Sequence, residues 1–80
     1  MSRYFEVWCL AAPGKEFVVT MVDGKEEKAA NAQTWTQFLA KQEANNVTMV
    51  GYSVIPAPDI QIPGPGWYRM HATFRVPEYR

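Results

Sequence analysis

Residues 67–76, WYRMHATFRV, alternate between two chemistries. Tyr68, Met70, Ala72, Phe74 and Val76 form an apolar or small row, and Trp67, Arg69, His71, Thr73 and Arg75 stand between them. In a strand the two rows project to opposite sides, so an indole, an imidazole and two guanidinium groups share one face. Flat aromatic surface beside such groups suits stacking on a planar ring, or gripping an anion or a polar edge. Residues 3–10 alternate in the same way, with Phe5, Val7 and Cys9 in one row and Tyr4, Glu6, Trp8 and Leu10 in the other. If the two strands are neighbours, Tyr4, Glu6, Trp8, Trp67, Arg69, His71 and Arg75 make one candidate ligand- or partner-binding face.

Catalysis has little to work with. Cys9 and His71 are the only residues from which a thiol nucleophile and its base could be assembled. Parity separates them: Cys9 shares the row of Phe5 and Val7, whereas His71 lies on the polar row of its own strand. Cys9 is therefore read as a small packed hydrophobe and His71 as a surface histidine. With one histidine and one cysteine, a metal site would have to be built from carboxylates, and neither Asp59 nor the Glu26-Glu27 pair has ligand spacing. Gly64-Pro65-Gly66 makes no phosphate cradle, because proline removes the backbone donors an anion needs. The sequence thus points away from an enzyme and implies no metal and no cofactor.

Composition narrows the partners. Eight basic residues balance eight acidic ones, so the chain lacks the basic field that draws proteins to duplex nucleic acid. Hydrophobic residues make up 48% of its 80 residues and aromatics 14%, a globular composition. Residues 1–80 are read as one domain with one small core, and self-association is expected because so short a chain buries a modest fraction of its surface. The single cysteine excludes an internal disulfide. No stretch pairs a basic start with a long apolar run, so neither a secretory signal nor a membrane span is read, and a cytoplasmic location is the default. Asn46-Val47-Thr48 matches the glycosylation acceptor pattern by accident on that reading.

Several elements must position the candidate face. Residues 3–10 form the first strand, Ala11-Ala12-Pro13-Gly14-Lys15 a turn, and residues 16–22, apolar on both sides apart from Thr20 and the leading Glu16, a second strand of central or interface type. Asp23-Gly24 reads either as a two-residue hairpin turn, making residues 25–29 a short third strand, or as a helix start capped by Asp23 with Glu26 completing a capping box. The hairpin is preferred, with the firm helix beginning near Asn31. From Ala32 the spacing is helical: Ala32, Trp35, Phe38 and Leu39 line a core-facing side, and Thr34, Gln37 and Lys41 lie away from it. Asn45-Asn46 should close the helix. Residues 47–55 form the next strand, stopped by Pro56, and residues 67–76 the last.

The Pro/Gly-rich segment 56–66 is a loop within the domain. Its Ile60 and Ile62 serve either as a clasp over a subunit, a lid over a site, or a pin onto their own domain. The fold class is α+β: a four- or five-stranded antiparallel or mixed sheet with one helix packed on one face, in the order β-β-α-β-β.

Tyr4-Phe5-Glu6-Val7 opens the chain in a Tyr-x-x-Val manner, residues 49–56 (MVGYSVIP) end a strand in Val-x-Pro, and Phe74-Arg75-Val76-Pro77 is similar to a closing Phe-x-Arg-Pro. In these motifs the ends and second half resemble a small domain of unknown function found in bacterial and phage chains. Residues 46–49, Asn-Val-Thr-Met, replace that family's Gly-Trp-Glu-Leu step, and the second strand and charged arm are additions. The resemblance implies a fold and a tendency to be small and oligomeric, with no activity to carry over.

The expectation is a small non-enzymatic domain that associates with copies of itself and binds a partner, the candidates being a protein or a small nucleotide, through the helix-free sheet face. Subunit packing competes for the same face, since tryptophan, tyrosine and arginine are enriched at protein contacts. A nucleotide sensor or sponge is the alternative, with Trp8 or Trp67 stacking on the base and Arg69 or Arg75 pairing with phosphate. A His71-dependent hydrolase or transferase ranks last.

Overall fold

Asp23 and Gly24 both carry positive φ, 52° and 80°, the paired left-handed geometry of a type I′ turn, whose twist matches the strands it joins. The charged arm therefore folds back as a strand. In the computed structural model, which describes residues 3–27, 33–59 and 66–77, the elements are β1 (Arg3–Ala11), β2 (Val18–Val22), β3 (Lys25–Glu26), α1 (Trp35–Ala44), β4 (Thr48–Pro56) and β5 (Tyr68–Val76). The sheet has five strands in the order β3-β2-β1-β5-β4. All four pairings are antiparallel, which resolves the choice between an antiparallel and a mixed sheet. Among the described residues the fold is α+β with one helix.

β2 lies inside the sheet between β3 and β1 rather than at an edge, and β1 is the middle strand. It runs alongside β5 over its whole length, from Arg3 opposite Val76 to Ala11 opposite Tyr68. Against β2 the register slips between Trp8 and Cys9, which leaves Thr20 as the extra residue. The Thr20 hydroxyl donates to the Trp8 carbonyl at 3.0 Å, so the bulge is held by a side chain.

The helix begins later than its spacing suggests. Residues 28–32, which include the expected end of the third strand and the expected helix start near Asn31, lie outside the described residues. The described helix starts at Trp35 because Thr34 caps it: its hydroxyl accepts from the Gln37 amide, and the Gln37 side chain accepts from the Thr34 amide. This is a capping box of the Thr-x-x-Gln kind. The Glu16 carboxylate accepts from the Thr36 amide at 3.1 Å, and Phe17 and Gln33 carbonyls accept from Trp35 and Val19 amides. The loop before β2 is thereby tied to the helix start. At the other end Asn46 has φ 60°, and the Asn46 and Val47 amides donate to Glu43 and Gln42 carbonyls, the two bonds of a Schellman closure.

Phe74 is the pillar under the helix. It is fully buried, stacks on Phe5 at 5.3 Å between ring centres, and meets Trp35 at 5.8 Å and Phe38 at 5.6 Å. Val7, Cys9, Val19, Met70 and Ala72 complete the buried cluster. Trp35 and Leu39 pack against it only partly buried. The helix covers the β2, β1 and β5 portion of its face, and Met49 of β4, opposite Phe74, packs partly buried against the same core. The rest of β4 stays open: Tyr52, opposite Ala72, and Val54, opposite Met70, belong to the same face yet stay 64% and 46% exposed. Coverage is thus narrower than one whole face.

Candidate functional site

On the side of the sheet away from α1, the β1–β5 register aligns the candidate residues in cross-strand pairs. Tyr4 lies opposite Arg75, Glu6 opposite Thr73, Trp8 opposite His71, and Leu10 opposite Arg69. Directly opposed residues of an antiparallel pair share a face, so Tyr4, Glu6 and Trp8 on β1 and Arg69, His71 and Arg75 on β5 form two adjacent rows about 20 Å long, six residue steps from Arg69 to Arg75 at roughly 3.3 Å each. The two ends differ. Tyr4 and Arg75 stand exposed at one, while the other end runs into a depression.

Trp8 and His71 stack at 4.3 Å between ring centres with 30° between planes. His71 Nε2 lies 3.5 Å from Glu6 Oε1. That approach has no hydrogen-bond geometry, and Nε2 is a buried atom without a hydrogen-bond partner among the described residues. The Glu6 side chain is itself mostly exposed, so a small swing closes or opens this contact. Arg69 is already engaged: its Nη2 donates to Asp59 Oδ2 at 3.0 Å, and the hydrogen bond and charge of Arg69 hold the Asp59 carboxyl below its ordinary range. Trp67 departs from the expected strand. It precedes β5, its carbonyl accepts from the Ala57 amide at 2.8 Å, and the Trp8–His71 stack does not include it.

The depression has a volume of about 530 Å³ and is lined by Trp8, Cys9, Leu10, Thr20, Met21, Glu26 and Arg69. Of this lining, Cys9, Leu10, Thr20, Met21 and Glu26 were not among the candidate residues, nor was Asp59, which pairs with Arg69. Leu10 was legible as a member of the Trp8 row, whereas Met21 and Glu26 join only because the Asp23-Gly24 turn brings β3 beside β2 and Met21 opposite both Trp8 and Glu26. Of the second half of 56–66, including Ile60 and Ile62, residues 60–65 lie outside the described residues.

The thiol chemistry fails on geometry. Cys9 lines up with Met70 in the buried cluster, on the face opposite His71, and burial pushes its pKa from 9.0 up to about 12. A thiol so protonated is a poor nucleophile near neutrality. Among the described residues no group of three or more His, Cys, Asp or Glu side chains could hold a metal ion, and no helix is long and apolar enough to cross a membrane. Comparison with known proteins finds no matching family model, curated relative or solved structure, so the resemblance to the bacterial and phage domain rests on its short motifs.

Proposed function

We propose that this chain is a non-enzymatic binding domain, that the helix-free face of the sheet is its binding surface, and that its partner is a protein segment presenting apolar side chains. The observation that carries the reading is the depression of about 530 Å³ beside Trp8, whose walls are mainly the hydrocarbon of Trp8, Leu10 and Met21 with Thr20, Glu26 and Arg69 at its edges. A concave apolar surface with a few polar groups is the usual form of a binding site, and a tryptophan at its margin is a typical contact anchor.

Charge favours the protein partner over the nucleotide. The one guanidinium at the depression is neutralised by Asp59 at 3.0 Å, and Glu26 adds a carboxylate to the rim. A phosphate would therefore compete with Asp59 for the Arg69 guanidinium and approach the like charge of Glu26, which weighs against the nucleotide reading. An apolar side chain meets neither cost.

A displayed peptide library selected on the native chain and counter-selected on Trp8→Glu tests this, alongside a nucleotide panel read by melting temperature. Peptides with apolar anchors that bind the native chain and are lost at least tenfold in Trp8→Glu are the expected result. Nucleotide-induced stabilisation that Arg69→Ala abolishes would install the sensor reading instead. If neither panel yields binding that depends on Trp8, the face is no binding site.

A further inference from the structure

The two edges of the sheet are built differently. β3, at one edge, is two residues long and consists of Lys25 and Glu26; short length and charge are the usual guards against pairing with another chain. β4, at the other, runs nine residues, Thr48–Pro56, without a charged side chain, and among the described residues its ladder is made to β5 alone. In an antiparallel ladder alternate residues turn their N–H and C=O groups outward, so β4 presents a row of backbone donors and acceptors. Its bulge lies at one end, between Met49 and Gly51, and Pro56 lies at the other. The stretch between them is regular.

We propose that β4 is the edge through which this chain associates with a second copy of itself, two β4 strands pairing antiparallel about a two-fold axis with Ser53 opposite the partner's Ser53. The strand fits its own reverse. In that register Tyr52 meets the partner's Val54 and Val54 meets the partner's Tyr52 on the helix side, two aromatic and β-branched pairs of the favourable cross-strand kind. Gly51 falls opposite the partner's Ile55 on the other side, where a missing side chain faces a large one. No like charges oppose one another. A neutral strand also carries no charge code for a different chain, whereas a two-fold repeats each of these contacts twice.

Area sets the strength. Tyr52 is 64% exposed, and with a tyrosine burying about 200 Å² when fully covered, it offers on the order of 130 Å² of aromatic surface per copy. Val50, Val54 and Ile55, each 46–49% exposed, add to it. A standard interface takes about 800 Å² from each side, so the pair is a reversible, concentration-dependent dimer. This association uses a different surface from the binding face above and leaves the depression beside Trp8 open.

Light scattering on the native chain from micromolar to millimolar concentration should show the mass rising from one copy to two, and Tyr52→Lys should remain a single copy with unchanged circular dichroism. Register is read by oxidative cross-linking of Ser53→Cys and Thr48→Cys. Cys at 53 meets its own copy within disulfide reach, whereas Cys at 48 lies about 33 Å from its copy, ten residues at roughly 3.3 Å, so only the first variant should give a covalent dimer. A native chain that stays monomeric at millimolar concentration overturns the proposal. So does a dimer abolished by Trp8→Glu but not by Tyr52→Lys, and so does equal cross-linking at 48 and 53.

Discussion

One face of the sheet contains two regions that obey the same alternation and end in opposite states. Under the helix, Phe74, Val7, Cys9 and Ala72 are fully buried; one strand further on, Tyr52 and Val54 in the same row are 64% and 46% exposed. Alternation decides which side a residue takes, and the width of the covering element decides whether it is dry. A helix is about 10 Å across with its side chains, whereas five strands about 4.8 Å apart span roughly 19 Å between the outer strands. One helix therefore roofs about half of the sheet, and it sits where Phe5, Trp35 and Phe38 gather on Phe74.

The contrast is broken most severely at its pillar. Phe74→Ala removes a ring that contacts three others and should cost about 3–5 kcal/mol, a large share of the on the order of 5–10 kcal/mol available to a chain of this size. Tyr52→Ser, in the same row, should change monomer stability by less than about 0.5 kcal/mol because its ring is mostly in water. Urea unfolding of both variants at micromolar concentration measures the difference. Similar losses at the two positions would mean that β4 is roofed in solution as β1 and β5 are.

A smaller effect is expected where the roof is fastened. Thr34 accepts from the Gln37 amide and sets the first turn of α1, so Thr34→Ala should cost about 1 kcal/mol. Thr34→Ser should recover most of it, since the hydroxyl is what caps. Melting curves of the two variants check the ranking.

How much of this was legible depends on range. The Asp23-Gly24 hairpin, the asparagine closure at Asn46 and the two-faced rows of β1 and β5 are local features, and each is written in a few neighbouring residues. The α+β class with one helix followed from them. The start of the helix was misplaced because Ala32, Trp35, Phe38 and Leu39 continue one apolar spacing across the point where Thr34 interrupts the backbone; the Thr-x-x-Gln pair was visible there but was read only as a polar side. Trp67 was assigned to the strand by parity, yet the ladder closes at Tyr68 opposite Pro56. The depression could not be read at all from single strands. It needs Met21, Trp8 and Glu26 side by side, which depends on the β3-β2-β1 order, and the Asp59 carboxylate that engages its Arg69 comes from another segment.

The smallest expected effect concerns how the roof responds to acid. Hydrogen bonds from Thr36, first through its side chain and then through its amide, hold the Glu16 carboxyl below its ordinary value of 4.5, and they form at the N-terminus of α1, where the helix dipole also favours an anion. A carboxyl whose folded value is lowered takes up protons more readily in the unfolded chain, so stability rises with pH across that interval. The Glu16 contribution is present above about 4.5 and disappears as pH falls through the lower folded value. Asp59, lowered by Arg69, is lost in the same direction, so acid alone does not separate the two. Glu16→Gln does: its amide cannot ionise, and the gap in melting temperature between it and the native chain should be present at pH 7 and close on acidification. A gap that persists unchanged in acid would mean that the Glu16 charge adds nothing to the fastening of the helix over Phe74, and that Thr34 with the Phe17 and Gln33 backbone bonds holds the roof unaided.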